Sequence, residues 1–491
     1  MKVINVIGTG PGSAHAVEFL AKTKLFKINV FDINNLNDNF SIEKSRELQS
    51  FQAGKDFFTE TTRAFGFGGT SNLWHGVITK FSDEEWKYSF PNSENIKTEI
   101  EDIYDDLECH FSKLSKPIEK KLPNIFNSPF SQNSNVLKHK HFYIQKSPLR
   151  TKSIFQDLYA KGLINLYENT VVLSIEENKK DCNLIEKINY FHDGQIKSLE
   201  GDIFIVSCGA LETPRLFLQS ISENTYSNIS KYIGNNLIDH PWTILGTIKS
   251  KRPLKINNFV FNSRLLSYRA SHNIKIKYNG ITKVHNLQYK PYQFGNFIKI
   301  KEIMTKLIVS RSINTWINIL KKYSFVDIFS TILYLLSEKY NVSFLNFKSA
   351  IYIFMDQDEN KKSSIKLSNK KDIYGRFIPI INWHHGSQEQ DEIKLVSEAI
   401  LKEFKDTYLT YMPSEICWKD LCSSSHHAGT MRVGTSPINS VIDENLKVHS
   451  KKNIYVCDLS IFPRFGNSNP TYTLSAFSRR LGKHIKHKYI T

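Results

Sequence analysis

The chain has 491 residues, enough for two or more hydrophobic cores or one large domain with insertions. Its 40% hydrophobic and 12% aromatic content excludes a disordered protein. The net charge of +17 would allow phosphates or an anionic membrane as partners, but the basic residues are dispersed along the chain, which argues against nucleic acid. The six cysteines (Cys109, Cys182, Cys208, Cys417, Cys422, Cys457) form no CxxC pair and read as free thiols of a reducing compartment. MKVINVIGTG enters a strand without a charged-then-apolar leader, so the expected location is the cytoplasm.

Lys2 to Ile7 is an apolar strand, followed by GTGPGS (Gly8 to Ser13), a helix through Ala21, and a second strand from Ile28 that ends in Asp32. This is a βαβ dinucleotide fingerprint with its acid in register. Gly8 permits the tight turn, and Gly10 lets the backbone approach a pyrophosphate at the helix N-terminus. Ser13 replaces the third glycine, where helix–strand packing requires a small residue. Asp32 can accept both ribose hydroxyls of an adenosine, and the motif does not by itself separate NAD from FAD.

Arg63 to Gly76 (RAFGFGGTSNLWHG) is a glycine-dense loop whose amides and hydroxyls suit a second phosphate or a flavin ring. Lys97 to Leu114 has helical spacing, Asn169 to Ile175 reads as a strand, and Asp193-Gly194 marks a hairpin. Ile203 to Cys208 is a buried strand running into a helix in which Pro214 is expected in the first turn. Gly234 to Pro241 (GNNLIDHP) is a polar turn; its His240 reads as a hydrogen-bonded loop residue. Short strands and turns are expected over 257–284. Lys299 to Lys348 is basic, with Ile, Leu, Phe and Tyr at helical spacing, and too short in its uncharged run to span a bilayer. Two amphipathic helices that cap a substrate cleft are expected there, with docking on an anionic membrane face as the alternative. Strands at 350–354, 364–368 and 377–383 and a helix at 389–404 follow.

The chemistry concentrates near the C-terminus. SHHAGTMRVG (Ser425 to Gly434) sets two histidines before a small-residue turn, and YVCDLSIFPRFGNSNPTYT (Tyr455 to Thr473) is a strand, a Gly/Asn/Pro loop and a helix start. Asn469 precedes Pro470, which pushes its backbone out of the helical region beside unpaired helix amides. His426 and Asn469 are the expected catalytic pair, since a neutral-range imidazole can take a hydroxyl proton and an amide can steady the resulting oxyanion.

In order and spacing these pieces resemble the glucose–methanol–choline (GMC) flavoprotein oxidoreductases over nearly the whole chain. The matching segments are GTGPGS with Asp32, GGTSNLWHG, VVLSI, IVSCGALETPRLFLQS, IGNNLIDHP, FMDQDENKKSSIKLS, HHAGTMRVG, SVIDENLKVHSKKNIYVCDLSIFP and NSNPTYTLSAFSRRLGKHI. Trp74 brings the loop closer to the sugar-oxidising branches, pyranose oxidase and its bacterial relatives. The resemblance implies an α/β fold: a Rossmann-type FAD-binding domain of p-hydroxybenzoate hydroxylase-like topology (residues 1–80, 165–245 and 415–491) plus an α+β substrate domain with an antiparallel sheet (81–164 and 246–414). By position, Gly8, Gly10, Ser13 and Asp32 would hold the ADP half and Val172 would meet the adenine side. Gly68, Gly69, Ser71 and Asn72 would line the pyrophosphate and flavin, and Asp458, Leu459, Pro470 and Thr471 would close on the ribityl chain and ring. Relatives that tether FAD through this loop use a histidine where Leu73 stands, so the FAD is expected to be non-covalent, and no metal is expected. The implied activity is oxidation of a CH–OH group of a sugar or polyol by hydride transfer to flavin N5. The alternatives are a redox-neutral epimerase-type flavoenzyme or a membrane-peripheral dehydrogenase of a lipid-linked sugar, at the inner membrane face. The expected partner is a small alcohol or sugar, with the electron acceptor left open.

Overall fold

The computed structural model describes residues 1–47, 51–53, 63–90, 94–107, 111, 136–145, 147–220, 232–250, 260–262, 266–291, 303, 312–340, 348–360, 362–405, 409–416, 421–464 and 466–490. Cys109, Cys417 and much of the basic segment (299–302, 304–311 and 341–347) lie outside them. The described cysteines are free thiols.

A five-stranded parallel sheet runs Ile454–Val456, Ile203–Val206, Lys2–Ile7, Phe26–Phe31, Asn165–Tyr167 in spatial order. Its central strands are near-continuous apolar runs because both faces are buried, with Tyr190 of a small antiparallel sheet packed on Phe31, and Ile203 to Val206 are wholly buried. The chain leaves the central strand Lys2–Ile7 into the helix Pro11–Thr23 and returns at Phe26, while its other neighbour arrives some two hundred residues later. The order reverses at this strand, and in open α/β sheets ligands bind beyond the carboxyl ends of strands at such a point.

A second, eight-stranded antiparallel sheet joins Leu409–Pro413, Trp242–Ser250, Lys348–Phe354, Ile281–Pro291, Leu266–Tyr278, Leu137–Gln145 and Val77–Ile78, with Val260–Asn262 pairing Leu266–Tyr278. One face packs Leu245, Ile274, Leu287 and Ile353 against the helix Ser387–Phe404 through Ile393, Val396 and Ile400. The opposite face carries Trp242, stacked on Tyr352 and Phe354, and packs on Cys422. Two small three-stranded sheets complete the fold.

Several expectations change. Residues 266–291 form two long strands rather than short ones, joined at Asn279-Gly280, where φ is +48° and +80°. That is the backbone of a tight hairpin, which Asn-Gly adopts at little cost. The Asp193-Gly194 turn forms the same way. The helix expected from Lys97 begins at Glu94. Pro214 is not in the first turn of its helix but in the interior of Gly209–Ser220. A proline there leaves the carbonyl of Ala210, four residues back, without its helical donor. The buried Thr430 hydroxyl donates to that carbonyl at 2.7 Å. The helix thus survives its proline through a residue 220 positions away.

Thr430→Val keeps the shape and removes this donor. Chemical denaturation is expected to show a loss of about 1–3 kcal/mol, with Thr430→Ser losing clearly less; equal losses would mean that the hydroxyl is not what supports the helix.

Candidate active site

The first turn shows why this sequence opens a nucleotide site. Gly8 has φ +97°, and a Cβ there would stand 2.4 Å from the Ser207 carbonyl oxygen. At Gly10 a Cβ would meet nothing, leaving open space for a ligand to approach the backbone. The closest helix–strand approach falls on Gly12, whose Cβ would lie 1.9 Å from the Cys457 carbonyl oxygen. Ser13, expected in that role, instead donates its hydroxyl to the Gly8 carbonyl at 2.7 Å. The helix has no side-chain cap and no acid in its first turn, so its amides and dipole remain available to an anion.

Asp32 sits buried at the end of the second strand, accepting from the Thr9 hydroxyl at 2.5 Å and the Asn34 amide at 3.1 Å. Burial raises its pKa to about 6, against the pull of those hydrogen bonds. Thr9 also accepts from the Gly68 amide at 2.9 Å, and Thr151 donates to the Thr9 carbonyl at 3.0 Å. The dinucleotide turn and the glycine-dense loop are therefore one unit, with Gly69 packed on Gly10.

A cleft runs over these elements. Asp32, Thr170 and Val172 line one end, Gly8, Gly10 and Gly69 the middle, and Ser425, His427, Asp458, Leu459 and Thr471 the other end. Ser13, Gly68, Ser71, Asn72 and Pro470 do not line it, and neither do His426 and Asn469, which stand next to lining residues. The polar groups of Ser71 and Asn72 are taken up by Thr151 and by the carbonyls of Phe67 and Gly69. The Asp458 carboxylate accepts from Gly209 N, Thr213 Oγ1 and Ser460 N, tying the proline-bearing helix to the last strand.

At the far end the two histidines part. Asp239 is fully buried and accepts four hydrogen bonds: from His240 N (2.7 Å) and His426 N (3.0 Å) on one oxygen, and from Ser423 Oγ (2.5 Å) and Ser425 N (3.2 Å) on the other. Burial raises this carboxyl to about 6, opposed by those donors. Ser425 is held at φ +68°, a conformation uncommon for a non-glycine residue, and it turns the following histidine. His426 Nε2 meets Asn469 Nδ2 at 3.3 Å, and its Nδ1 meets His240 Nδ1 at 3.3 Å, the rings edge to face. His427 turns the other way, toward Ser423 (3.4 Å) and Asp239 (3.7 Å). Burial, then the Arg63 charge and His426, push His427 down to about 3, so it is neutral.

An amide nitrogen only donates, so with Asn469 Nδ2 turned to it His426 Nε2 accepts, and a hydrogen on Nδ1 then faces His240 Nδ1 as acceptor. Burial and then His426 hold His240 well below the ordinary imidazole range, which keeps it neutral, and the backbone of Gly466 is a further hydrogen-bonding partner of its ring. His240 was read from sequence as a loop residue; the structure makes it the partner of His426.

The asparagine is placed by a separate device. Glu85 and Lys140 form a buried ion pair at 3.0 Å. Lys140 donates to Asn467 Oδ1 and Ser468 Oγ, while Glu85 accepts from Asn467 N and Ser468 Oγ. Burial pushes the Glu85 carboxyl up, but Lys140 and the donors outweigh it, so it lies below the ordinary range. Neither Asp239 nor this pair was singled out from sequence, since nothing local distinguishes them.

Lys140→Met would leave Glu85 charged and unpaired; a loss of about 3–5 kcal/mol is expected in denaturant unfolding, with Glu85→Gln in the same chain restoring part of it. For the wild type the sign with pH follows from the lowered folded pKa: the contribution is full above the ordinary glutamate range and disappears on acidification through the folded value. In Lys140→Met the buried carboxylate favours its proton, so stability should rise on acidification instead.

Residues 360–478 match the family model described as GMC oxidoreductase. The 6'''-hydroxyparomomycin C oxidase of Streptomyces lividus is 44% identical over 62 residues, 13% of this chain and 11% of that protein. The paromamine 6'-oxidase of Streptomyces fradiae is 42% identical over 131 residues, 26% of this chain and 23% of that protein. The chain thus matches less than a quarter of the length of these curated relatives. Pyridoxine 4-oxidase from Mesorbium loti shares the fold over 99% of both chains, with a TM-score of 0.60 and 12% identity. A variant of the formate oxidase of Aspergillus oryzae does so over 99% of this chain and 98% of its own, with a TM-score of 0.58 and 13% identity. The C-terminal part of the chain, residues 360–478, thus matches the GMC oxidoreductase model, and the fold along its length is shared with pyridoxine 4-oxidase and formate oxidase.

Proposed function

We propose that the chain binds FAD non-covalently along the cleft and oxidises a CH–OH group of a sugar or polyol-like substrate to a carbonyl. The observation that carries this reading is the His426–Asn469 pair, 3.3 Å apart, whose chain neighbours Ser425, His427 and Thr471 line the same cleft as Asp32. The residues present fit the cofactor: a carboxylate for the ribose, an open glycine at a bare helix N-terminus for the pyrophosphate, and a glycine loop beyond it. Leu73 has no nucleophilic or coordinating atom with which to tether a flavin. The relatives named as oxidases of paromamine and a hydroxyparomomycin support a sugar-like substrate.

When bound, FAD would supply the acceptor for the hydride leaving the carbinol carbon. The rest falls to the chain. His426 Nε2 takes the hydroxyl proton, because its tautomer leaves that nitrogen bare. The Asn469 amide donates to the oxygen as negative charge develops on it. His240 accepts from His426 Nδ1 and so keeps the base in that tautomer as it becomes charged. Asp239 holds both imidazoles by their backbone amides and does not itself touch substrate.

Two outcomes are expected. His426→Ala should retain FAD yet have its flavin reduced by a donor about 10²–10⁴-fold more slowly, measured by anaerobic stopped flow; an unchanged rate would overturn the assignment. For Asp32, ribose hydroxyls favour the ionised carboxylate, whereas the free site is protonated below about 6. Affinity for FAD should therefore fall as pH drops through that value, by up to about tenfold per unit, and Asp32→Asn should bind weakly with little pH dependence.

A further inference from the structure

The basic segment contains two consecutive helices, Ile313–Lys322 and Phe325–Tyr340, that are built inside out. In the first, Ile313, Trp316, Ile317 and Leu320 recur at the spacing of one helical face, and that face is exposed, Ile313 at 78%. In the second, Phe325, Val326, Phe329, Ile332, Leu335 and Leu336 face solvent, Phe325 at 80%. The polar side of this helix is the one turned inward. Asp327, Ser330 and Thr331 are buried, and Asp327 accepts from Ser324 Oγ at 2.7 Å. Among the described residues a small cluster, Ile303, Ile319 and Tyr323 with Ile328, packs beneath. Ten large apolar side chains within 24 residues form an exposed face far beyond what isolated surface hydrophobics explain.

We propose that this face docks into the interface of an anionic lipid membrane. Charge decides between lipid and a second copy of the chain. Asp327 is the sole carboxylate among residues 312–337, and it faces in. Lys321 and Lys322, at the junction of the helices, are exposed. Over residues 299–348 the sequence has eight lysines and arginines against three acids, in a chain of net charge +17. A self-complementary dimer through this face would bring Lys321 and Lys322 toward their copies, and besides the buried Asp327 these helices have one acid, Glu338, at the far end of the second. An anionic headgroup layer answers them directly, while Trp and Phe sit at its boundary with the acyl chains. No helix among the described residues is long and apolar enough to cross a membrane, so the contact is peripheral. This surface is read independently of the reaction proposed above.

The test is flotation of the full FAD-loaded chain with vesicles of phosphatidylcholine alone and of phosphatidylcholine with phosphatidylglycerol. Binding is expected only with the anionic vesicles and should weaken with salt. Trp316→Ser with Phe325→Ser should reduce it at least about tenfold, and Lys321→Glu about fivefold or more. Both apolar positions are exposed, so the variants should keep wild-type unfolding curves. Failure of the wild type to float, or undiminished binding by the serine variant, would overturn the proposal. So would a concentration-dependent dimer in analytical ultracentrifugation that the serine substitutions dissociate, which would assign the face to a second copy.

Discussion

The site depends on one buried carboxylate. Asp239 gathers four donors from two segments nearly two hundred residues apart, and the conformation of the 423–427 loop follows from them. Its amide bonds hold the His240 and His426 backbones where the two rings meet edge to face, with their Nδ1 atoms 3.3 Å apart. Without that anchor Ser425 would have no reason to remain at positive φ, and His426 would lose its direction. Burial raises the carboxyl to about 6, the same physical cost seen at Asp32 at the other end of the cleft. At both ends a solvated carboxylate would be more comfortable; in each case geometry is held by a group that burial disfavours in its charged form.

The second half of the pair arrives by different means. Asn469 belongs to a loop whose neighbours, Asn467 and Ser468, are held by a lysine from the antiparallel sheet and a glutamate from the helix Asp83–Ser89. The His426–Asn469 contact is thus a meeting of two independently pinned loops, one fastened to the turn 234–241 and the other to Glu85 and Lys140. A small displacement of either loop would open the 3.3 Å contact between His426 and Asn469.

What could be read in the sequence was what local chemistry dictates. Gly8, Gly10 and Asp32 announce themselves because a turn, an open backbone and an acid after a strand are short-range features. His426 and Asn469 stand in motifs, and the structure brings them together. The helical nature of the 313–322 and 325–340 segments was legible as well. The supporting residues were not. The Lys140–Asn467 and Asp239–Ser423 bonds join positions 327 and 184 apart, and a single sequence carries no sign of such partners. Gly12 was passed over because the fingerprint assigns close packing to the next position, whereas here the Cys457 carbonyl approaches Gly12. Pro214 was misplaced because its compensation, the Thr430 hydroxyl, lies in another part of the chain. The Asn279-Gly280 turn was local and present, but a basic, mixed-polarity strand pair obscured it.

A dinucleotide lying in this cleft should bring its reactive end to His426 and Asn469, and a crystal structure of the oxidised FAD-loaded protein would show it. The adenosine is expected at Asp32 and Val172, the pyrophosphate at Gly10, and the edge of the flavin ring facing the pair. Density showing the ring elsewhere, or the cofactor reversed so that adenine lies against His426, would contradict it.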